Sequence, residues 1–549
     1  MKKRLMIMLC CLVLFVQLLP MVPVSASALE PQEVNADLYY CRAQLEDLPN
    51  SAALLYAYDQ IVAGIDAVAT DIDVVTGRYT LTLDEFQLAL EAVRRDHTEQ
   101  FWLDTKYTYT KDTTTDNILK MHPQYLMTGD TLADAKVAFE QAIRTFVGRL
   151  SDGMSEYEKE KALHDMLATQ VTYIETPLSR SAYGALVEGK AVCEGYAEAL
   201  QCLLQRVGIQ SIQVYGFGIN PQTGGTENHA WNMVRIDGKY YLTDLTWNDQ
   251  DTVLLYAYFN QTTEVLSEDH IAWPVGATAN KDGSVTPLSC QVFKLPECTA
   301  TDANYFSKNN LRITSYTEKS IGQMLKANKL SLSVFVDSDV DAFLDWLNKK
   351  QGDVSVTMSE IIKEAGVTVG CTYYTIVIGR EVRIVIDACA HTDLELVAAK
   401  PATCDTDGNT AYYVCQNEEC GKWFTDAKAL DEIFNRDSVK VLSIGHDWTV
   451  RSIGEDTLKH TAANCTEKDS YWYICSVCEQ KSDTYSFETE PGDHVDADGD
   501  GVCDLCEDGK TEFDIGAILE LIKSPVVLGG GGGAILLIII IAIIRRARD

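Results

Sequence analysis

Residues Ser181–Gly208 have the sequence SAYGALVEGKAVCEGYAEALQCLLQRVG. Turn-forming residues end at Lys190, and apolar side chains then recur every three or four positions, at Ala197, Leu200, Leu203, Leu204 and Val207. This spacing predicts a helix with one apolar face, and the glycine that follows is typical of a helix end. Cys193 falls in the first turn of that helix, whereas Cys202 lies within its apolar run and is interpreted as a core residue.

The start of a helix is a favourable place for a reactive cysteine. Its first backbone N–H groups have no partner inside the helix, and the helix dipole is positive at this end. Both effects stabilise a thiolate, which is the nucleophilic form of cysteine. Cys193 is therefore the candidate nucleophile.

A base for this nucleophile is indicated by residues 228–244, which read NHAWNMVRIDGKYYLTD. Asp237-Gly238 is a strong two-residue turn signal between two alternating strands. The resulting register places Trp231 opposite Asp244, so Asp244 becomes a same-face diagonal neighbour of His229. The sequence thus predicts a hydrogen bond from His229 to Asp244, with His229 acting as base and Asp244 fixing its orientation.

These motifs resemble the transglutaminase-like superfamily, which shares the papain-type arrangement of a helix-borne nucleophile with a base and an acid on adjoining strands. The resemblance is carried by GKAVCEGYA from Gly189, by HAWN from His229 and by YLTDLTWND from Tyr241, within residues 155–273. It implies a catalytic triad of Cys193, His229 and Asp244. It also matches Tyr183 to an aromatic position upstream of the nucleophile, either as an oxyanion donor or as a packing residue.

The resemblance fixes the reaction class more closely than the substrate. It implies an acyl-enzyme on Cys193 that water resolves, as in a peptidase or amidase, or that an amine resolves, as in crosslinking. It implies a protein or peptide substrate, which includes cell-wall or surface proteins, and no cofactor for catalysis. A catalytically inactive surface adhesin or scaffold with the same fold is the alternative.

The two ends of the chain predict export and membrane attachment. Residues 1–28 combine a basic start, an apolar middle and a small-residue end, as a signal peptide does. Residues 526–544 are an uncharged apolar run long enough to cross a bilayer, and Arg545, Arg546 and Arg548 follow it. We expect a single-pass membrane protein with its catalytic domain outside the cell and residues 545–549 in the cytoplasm.

Length and charge predict an acidic multidomain protein. The chain has 549 residues and a formal net charge of −34, which disfavours binding to nucleic-acid phosphates. We expect an α+β protein in which a papain/transglutaminase-like core, residues 151–275, follows a helical N-terminal region, residues 29–150. A small α/β module (residues 299–388) and Cys/His-rich repeats (residues 389–512) precede the transmembrane helix.

The cysteine-rich region reads as small repeats held by metal or by disulfides. One predicted cluster comprises Cys389, His391, Cys404, Cys415 and Cys420, and a second comprises Cys465, Cys475 and Cys478 with His446 or His460. One histidine and three cysteines per unit suit tetrahedral zinc, although disulfides are the alternative outside the cell.

A third unit contains an acidic loop. Its carboxylates have the spacing of an EF-hand calcium loop and comprise Asp496, Asp498, Asp500, Asp504 and Glu507. The alternatives are a solvated acidic turn, or a zinc or disulfide site that uses His494, Cys503 and Cys506.

Overall fold

The computed structural model describes residues 28–489 except 220–223, 251–252, 281–283, 291, 352–353, 368–369, 418–419, 435, 444 and 461–468. The chain divides into two compact units, Met1–Asp447 and Trp448–Asp549. The predicted signal peptide apart from Ala28, the acidic loop, Cys465 and the apolar run 526–544 all lie outside the described residues. Among the residues that are described, no helix combines the length and apolar character needed to cross a membrane.

The N-terminal region is helical, as predicted, but it also contains a sheet. Its helices are Tyr40–Leu45, Ser51–Asp66, Leu83–Asp96 and Gly129–Val147, after a 3-10 turn at Ala36–Leu38. A three-stranded antiparallel sheet has the spatial order Ile72–Asp73, Ile118–Tyr125, Leu103–Lys111. The prediction missed this sheet, in which the side chains of Leu103–Lys111 are mostly solvent-exposed.

The transglutaminase-resembling segment is built from helices packed on one antiparallel sheet. Its helices are Glu156–Gln170, Ala182–Leu186, Cys193–Arg206, Leu245–Asn248 and Thr263–Leu266. The four strands have the spatial order His270–Ala272, Ser211–Ile219, Thr226–Ile236, Lys239–Thr243. Reciprocal hydrogen bonds between Ser155 and Glu158 cap the first helix, as the sequence predicts.

The boundary predicted at residue 150 does not separate two hydrophobic cores. One continuous cluster of buried side chains extends from Tyr40 in the N-terminal helices to Ala303, beyond the four-stranded sheet. Arg95 illustrates this continuity: its guanidinium is buried and donates a 2.9 Å hydrogen bond to the backbone oxygen of Gln213 on the sheet. The N-terminal helices and the transglutaminase-resembling segment therefore share one hydrophobic core.

The predicted small α/β module has its own core. Its sheet has the spatial order Arg312–Ile313, Ser331–Val336, Glu381–Asp387, Thr372–Ile378, and only the first pair is parallel. Its helices are Tyr305–Lys308, Glu318–Ala327, Val340–Leu347 and Val356–Glu364. The single strand expected over residues 374–386 is a hairpin that turns at Gly379, whose φ of +50° suits glycine.

The cysteine-rich region begins inside the first unit. Leu394–Val397, Tyr412–Cys415 and Trp423–Phe424 form one small sheet, and Gly408–Asn409 pairs with Lys440–Val441 after a 3-10 turn at Arg436–Val439. This part packs on the core: Arg149 forms hydrogen bonds with the Asp407 carboxylate and the Ser443 hydroxyl. The second unit contains a separate sheet of Leu458–His460, Ser470–Ile474 and Lys481–Glu488.

The remaining strands are short two-residue or three-residue segments in the first unit. They are Thr172–Tyr173, Lys190–Ala191, Asp249–Gln250, Val253–Leu254, Ala277–Ala279, Val285–Pro287, Lys350–Gln351 and Val354–Ser355. Thr172–Tyr173 runs parallel to Lys190–Ala191, which directly precedes the Cys193 helix. This pairing brings the Tyr173 segment beside the start of that helix.

Candidate active site

Cys193 is the first residue of the helix Cys193–Arg206, as predicted. Close packing fixes this helix start: the Val192 N–H donates to the Ser179 backbone oxygen at 2.9 Å, and a side chain at Gly195 would overlap that same oxygen. The preceding residue, Val192, supplies no side-chain cap. Cys193 remains partly exposed, so its sulfur is both positioned and accessible.

The hairpin carrying His229 has the predicted register. Ile236 pairs with Lys239 and Asn232 with Thr243, around a turn in which Asp237 and Gly238 have φ values of 48° and 80°. Pairing stops at Thr243, so Asp244 is not a strand residue. It caps the short helix Leu245–Asn248, and its Oδ1 accepts a 3.2 Å hydrogen bond from the Trp247 N–H.

The expected contact between His229 and Asp244 is present. Nε2 of His229 lies 2.7 Å from Oδ2 of Asp244, and both side chains are buried. Burial alone would raise the pKa of the Asp244 carboxyl, but the charges and hydrogen bonds of His229 and His270 outweigh it and hold that pKa well below its usual range. Asp244 is therefore a permanent anion next to the ring.

The pKa of His229 moves in the opposite direction. Burial of the ring lowers this pKa, but the Asp244 carboxylate and a hydrogen bond with the Cys193 side chain raise it to about 10. Since Nε2 is engaged by Asp244, the ring nitrogen left to face the sulfur is Nδ1. His229 is thus protonated at neutral pH and carries a positive charge beside the Cys193 side chain.

His270 is a site residue that the sequence interpretation left without a role. Its Nε2 lies 3.0 Å from the same Asp244 oxygen that contacts His229, and its Nδ1 lies 2.6 Å from Oδ1 of Asp269. The Tyr258 hydroxyl donates to the other Asp269 oxygen at 2.6 Å. A chain of hydrogen bonds from Tyr258 through Asp269 and His270 therefore fixes the same Asp244 oxygen that contacts His229. The sequence signal for it is the pair Asp269-His270, which falls within the segment that resembles the transglutaminase-like superfamily.

Two glycines on the strand Ser211–Ile219 make room for the tryptophans that enclose His229. A Cβ on Gly216 would overlap the Trp231 ring and the Ile271 backbone oxygen, and a Cβ on Gly218 would lie 2.8 Å from the Trp247 ring. The ring centroids of Trp231 and Trp247 lie 5.8 and 5.3 Å from that of His229. Trp231 and Trp247 therefore form an aromatic wall beside His229, and this wall depends on the absence of side chains at Gly216 and Gly218.

Comparison with known proteins agrees with this geometry. The family described as the Transglutaminase-like superfamily matches residues 144–245, which include the cysteine, the histidine and the aspartate. Residues 144–245 form a transglutaminase-like domain.

Related proteins share this domain over a short part of their length. The chain is similar to kyphoscoliosis peptidase of Homo sapiens, with 34% identity over 96 residues that cover 15% of this chain and 14% of that protein. For kyphoscoliosis peptidase of Mus musculus the identity is 38% over 64 residues, covering 11% of this chain and 10% of that protein. The chain thus spans only a small fraction of the length of these relatives.

The chain also has low similarity to three solved structures. A TGase structure is 16% identical and covers 28% of this chain and 47% of its own, with a TM-score of 0.18. A proposed cysteine protease from Cytophaga hutchinsonii is 15% identical and covers 36% and 80%, with a TM-score of 0.19. A proposed protease from Parabacteroides distasonis is 11% identical and covers 52% and 62%, with a TM-score of 0.18.

Tyr183 is placed differently from the candidate oxyanion donor suggested by its sequence position. In the transglutaminase-like domain its ring packs against those of Phe101 and Phe139, with centroids 4.7 and 6.3 Å away. The tyrosine beside the candidate nucleophile is Tyr173: burial raises the pKa of its hydroxyl, and the nearby Cys193 backbone N–H opposes that rise. The structure therefore assigns packing to Tyr183, and the sequence interpretation missed Tyr173 because it lies on the neighbouring short strand.

A second histidine-aspartate pair in the transglutaminase-like domain has a structural role. His164 is fully buried, and its Nδ1 lies 3.0 Å from Oδ1 of Asp165. Its Nε2 accepts a 3.1 Å hydrogen bond from the Asn248 amide, whose oxygen accepts from the Tyr258 N–H. Burial lowers the pKa of His164 and outweighs the opposing effect of Asp165. The pair thus packs against Asn248, at the end of the short helix that Asp244 caps.

Among the predicted metal ligands, the structure brings four together in the first unit. The ligand atoms of Cys389, His391, Cys415 and Cys420 lie within 4.8 Å of one another. Cys404, which was predicted to join this cluster, is not part of it, because the turn that follows Lys400 carries it away from the small sheet. In the second unit the sulfurs of Cys475 and Cys478 also lie within 4.8 Å of each other.

The potential ligand atoms of His229, Asp244 and His270 also lie within 4.8 Å of one another, which is close enough for a metal site. Their spacing is explained by hydrogen bonds, since each ring uses its Nε2 toward the shared carboxylate oxygen. A protonated ring nitrogen has no lone pair for a metal. The triad geometry therefore suits proton transfer.

Proposed function

We propose that this protein is a membrane-anchored extracellular thiol enzyme that forms an acyl-enzyme on Cys193 from peptide or glutamine-amide substrates. The observation that carries the proposal is the 2.7 Å contact between His229 and a buried, ionised Asp244, on a ring whose pKa the neighbouring Cys193 side chain also raises. This is the arrangement that thiol acyl transfer requires: an activated sulfur, a proton carrier and an orienting carboxylate.

The acylation step follows from these contacts. The Cys193 thiolate attacks the substrate carbonyl carbon, an S–C bond forms, and the carbonyl oxygen becomes an oxyanion. The Cys193 backbone N–H is the candidate donor to this oxyanion. When the C–N bond breaks, the imidazolium of His229 gives its proton to the leaving amine or ammonia.

The acyl-enzyme is then resolved by a second nucleophile. His229, now neutral, removes a proton from water or from an amine as it attacks the thioester, and Cys193 leaves. Water gives a peptidase or amidase, whereas an amine gives a crosslinking enzyme. We favour hydrolysis slightly, and protein or peptide substrates, including cell-wall or surface proteins, in both cases.

The proposal includes the cellular location of the protein and the ions that it binds. The basic, apolar and small-residue pattern of residues 1–28 and the apolar run 526–544 support export and single-pass anchoring with the catalytic domain outside the cell. Catalysis needs no cofactor in this scheme. Calcium at the acidic residues Asp496, Asp498, Asp500, Asp504 and Glu507 remains part of the proposal on spacing alone.

A thiol-directed acyl probe tests the enzyme. At neutral pH the wild-type protein should be labelled at Cys193, while Cys193→Ala and His229→Ala should lose labelling. Cys202→Ala is a matched control, because Cys202 lies buried in the same helix and should leave labelling unchanged. Equal labelling of wild type, Cys193→Ala and His229→Ala would support a scaffold without turnover instead.

A labelled amine offered with a glutamine-bearing protein then separates the two reaction types. Incorporation of the amine into protein indicates crosslinking. Release of ammonia or of a new peptide end without amine incorporation indicates hydrolysis.

A further inference from the structure

The four clustered ligands at the junction of the α/β module and the cysteine-rich region have the dimensions of a metal site. Cys389 follows the strand Glu381–Asp387, Cys415 ends the strand Tyr412–Cys415, and Cys420 precedes the strand Trp423–Phe424. We propose that these three cysteines and His391 bind one structural zinc ion. The proposal is independent of the thiol chemistry at Cys193.

Two distances within the cluster fit a zinc tetrahedron. The sulfurs of Cys389 and Cys415 are 3.6 Å apart, and the sulfur of Cys420 lies 3.5 Å from Nδ1 of His391. With Zn–S bonds of about 2.3 Å and Zn–N bonds of about 2.0 Å, neighbouring ligand atoms on a tetrahedron are separated by roughly 3.5–3.8 Å. Each pair therefore already spans one edge of such a tetrahedron.

The orientation of the His391 ring also supports zinc binding. Its Nε2 lies 2.9 and 2.8 Å from the two oxygens of Asp387, so this nitrogen carries the proton and donates it. Nδ1 is then left with its lone pair directed at the sulfurs, which is the histidine tautomer that metals bind, held by a carboxylate partner. His391 also has a φ of 46°, a left-handed conformation uncommon for a residue with a side chain, in the loop that aims the ring at the cluster.

Hydrogen-bond donors next to the cluster stabilise negative charge on the cysteine sulfurs. The Asn417 amide donates to the Cys389 sulfur at 2.8 Å, and the His391 backbone N–H donates to the same sulfur at 3.4 Å. Lys422 lies 3.5 Å from Asp387, on the far side of the histidine ring. Three thiolates and one zinc ion leave a net charge of about −1, which these donors and this lysine help to offset.

A disulfide fits the same atoms less well. A disulfide bond needs about 2.05 Å between sulfurs, compared with 3.6 Å between Cys389 and Cys415. Three cysteines form at most one such bond and leave one thiol over, and His391 would have no function in it. Zinc uses all four groups, and its binding releases the three thiol protons to solvent.

The position of the site indicates its role. Four protein ligands leave no open coordination position, which is typical of structural zinc. The ion would fix the end of the strand Glu381–Asp387 to the hairpin that joins Tyr412–Cys415 and Trp423–Phe424. Because that hairpin has few buried apolar side chains, the metal would supply much of its stability.

Zinc content of the full chain, purified without chelator and measured by elemental mass spectrometry, tests the proposal. Cys415→Ser and Cys420→Ser should each contain one equivalent of zinc less than wild type. Cys371→Ser is the matched control, because Cys371 is a partly exposed cysteine of the α/β module outside the cluster and should leave zinc content unchanged. Equal zinc in wild type and both ligand variants, or a Cys389–Cys415 disulfide in the unreduced peptides, would overturn the proposal.

The cysteine variants could lose zinc because they misfold. A variant that keeps all four ligands tests the site without this ambiguity. Asp387→Asn should retain zinc but release it to a chelator at about 10- to 100-fold lower chelator concentration, because the carboxylate no longer fixes the ring. Cobalt exchanged into the wild-type protein should show sulfur-to-metal charge transfer and a tetrahedral visible spectrum. Absence of that spectrum, or zinc retention by Asp387→Asn identical to wild type, would contradict the assigned geometry.

Discussion

His229 and His270 contact the same oxygen of Asp244, at 2.7 and 3.0 Å. One carboxylate oxygen therefore serves two rings, and the second ring is itself fixed by Asp269. Because Asp244 is completely buried, it depends on these contacts to remain ionised. The proposed reaction thus relies on contacts of Asp244 with two histidines, and each histidine and the aspartate can be tested.

Asp244→Asn should reduce kcat by about 10³- to 10⁴-fold while leaving the fold intact, because asparagine does not stabilise the imidazolium or fix its orientation. Steady-state kinetics on a peptide amide, with circular dichroism as a check on folding, measure this effect. Asp237→Asn makes the same chemical change in the turn of the same hairpin and should retain activity. Similar kinetics for the two variants would remove Asp244 from the proposed mechanism.

His270→Phe should lower kcat/KM by about 10- to 100-fold, since a hydrogen bond to a charged group contributes about 1.5–3 kcal/mol. Loss of His270 also raises the pKa of Asp244, so the acid limb of the pH–rate profile should move to higher pH. A profile that falls in height without moving would indicate that His270 affects packing alone. His270→Gln, which keeps an N–H donor, should recover part of the activity.

The raised pKa of His229 predicts a loss of stability in alkali. Its folded-state pKa of about 10 exceeds the ordinary value of 6.5, so the protonated ring stabilises the fold fully below about pH 6.5. That contribution declines as pH rises and is lost by about pH 10. Urea unfolding of wild type and His229→Gln from pH 6 to pH 10.5 measures it: the difference between their free energies of unfolding should shrink as pH rises. A constant difference would contradict the assigned pKa.

Gly216→Ala should lower the free energy of unfolding by about 1–3 kcal/mol and also reduce activity. A methyl group at this position overlaps the Trp231 ring and the Ile271 backbone oxygen, so the wall beside His229 must move. Urea denaturation and kcat/KM measure the two effects. Gly77→Ala is the control, because no atom lies within 4 Å of the added methyl group and the stability should hardly change.

The local parts of the site could be predicted from sequence. Helix periodicity placed Cys193 at a helix start, and Asp237-Gly238 set the register that brings His229 to Asp244. Both are short-range effects, governed by backbone geometry within about one helix or hairpin. Tyr173 and His270 were missed because their contacts with the site join segments that are distant in sequence and have no periodic pattern to reveal them.

For the metal ligands, too, the sequence predicted the residue types but not the long-range contacts. The residue types and their spacing pointed to zinc, but Cys404 was grouped with Cys389 on proximity in sequence alone. The fold separates them, because the chain pairs Leu394–Val397 with Tyr412–Cys415 and leaves Cys404 in the intervening loop. Cys415 and Cys420 meet His391 only through this strand pairing.

By itself, the sequence determined the candidate nucleophile, the hairpin that presents its candidate base, and the residue types available to bind a metal, since these follow from local backbone preferences and side-chain chemistry. Only the tertiary structure decided that His270 shares Asp244, that Tyr173 rather than Tyr183 meets the Cys193 backbone, and which four ligands form a cluster. Such contacts depend on how distant segments pack, and packing is set by the buried surface of the whole core rather than by any one segment.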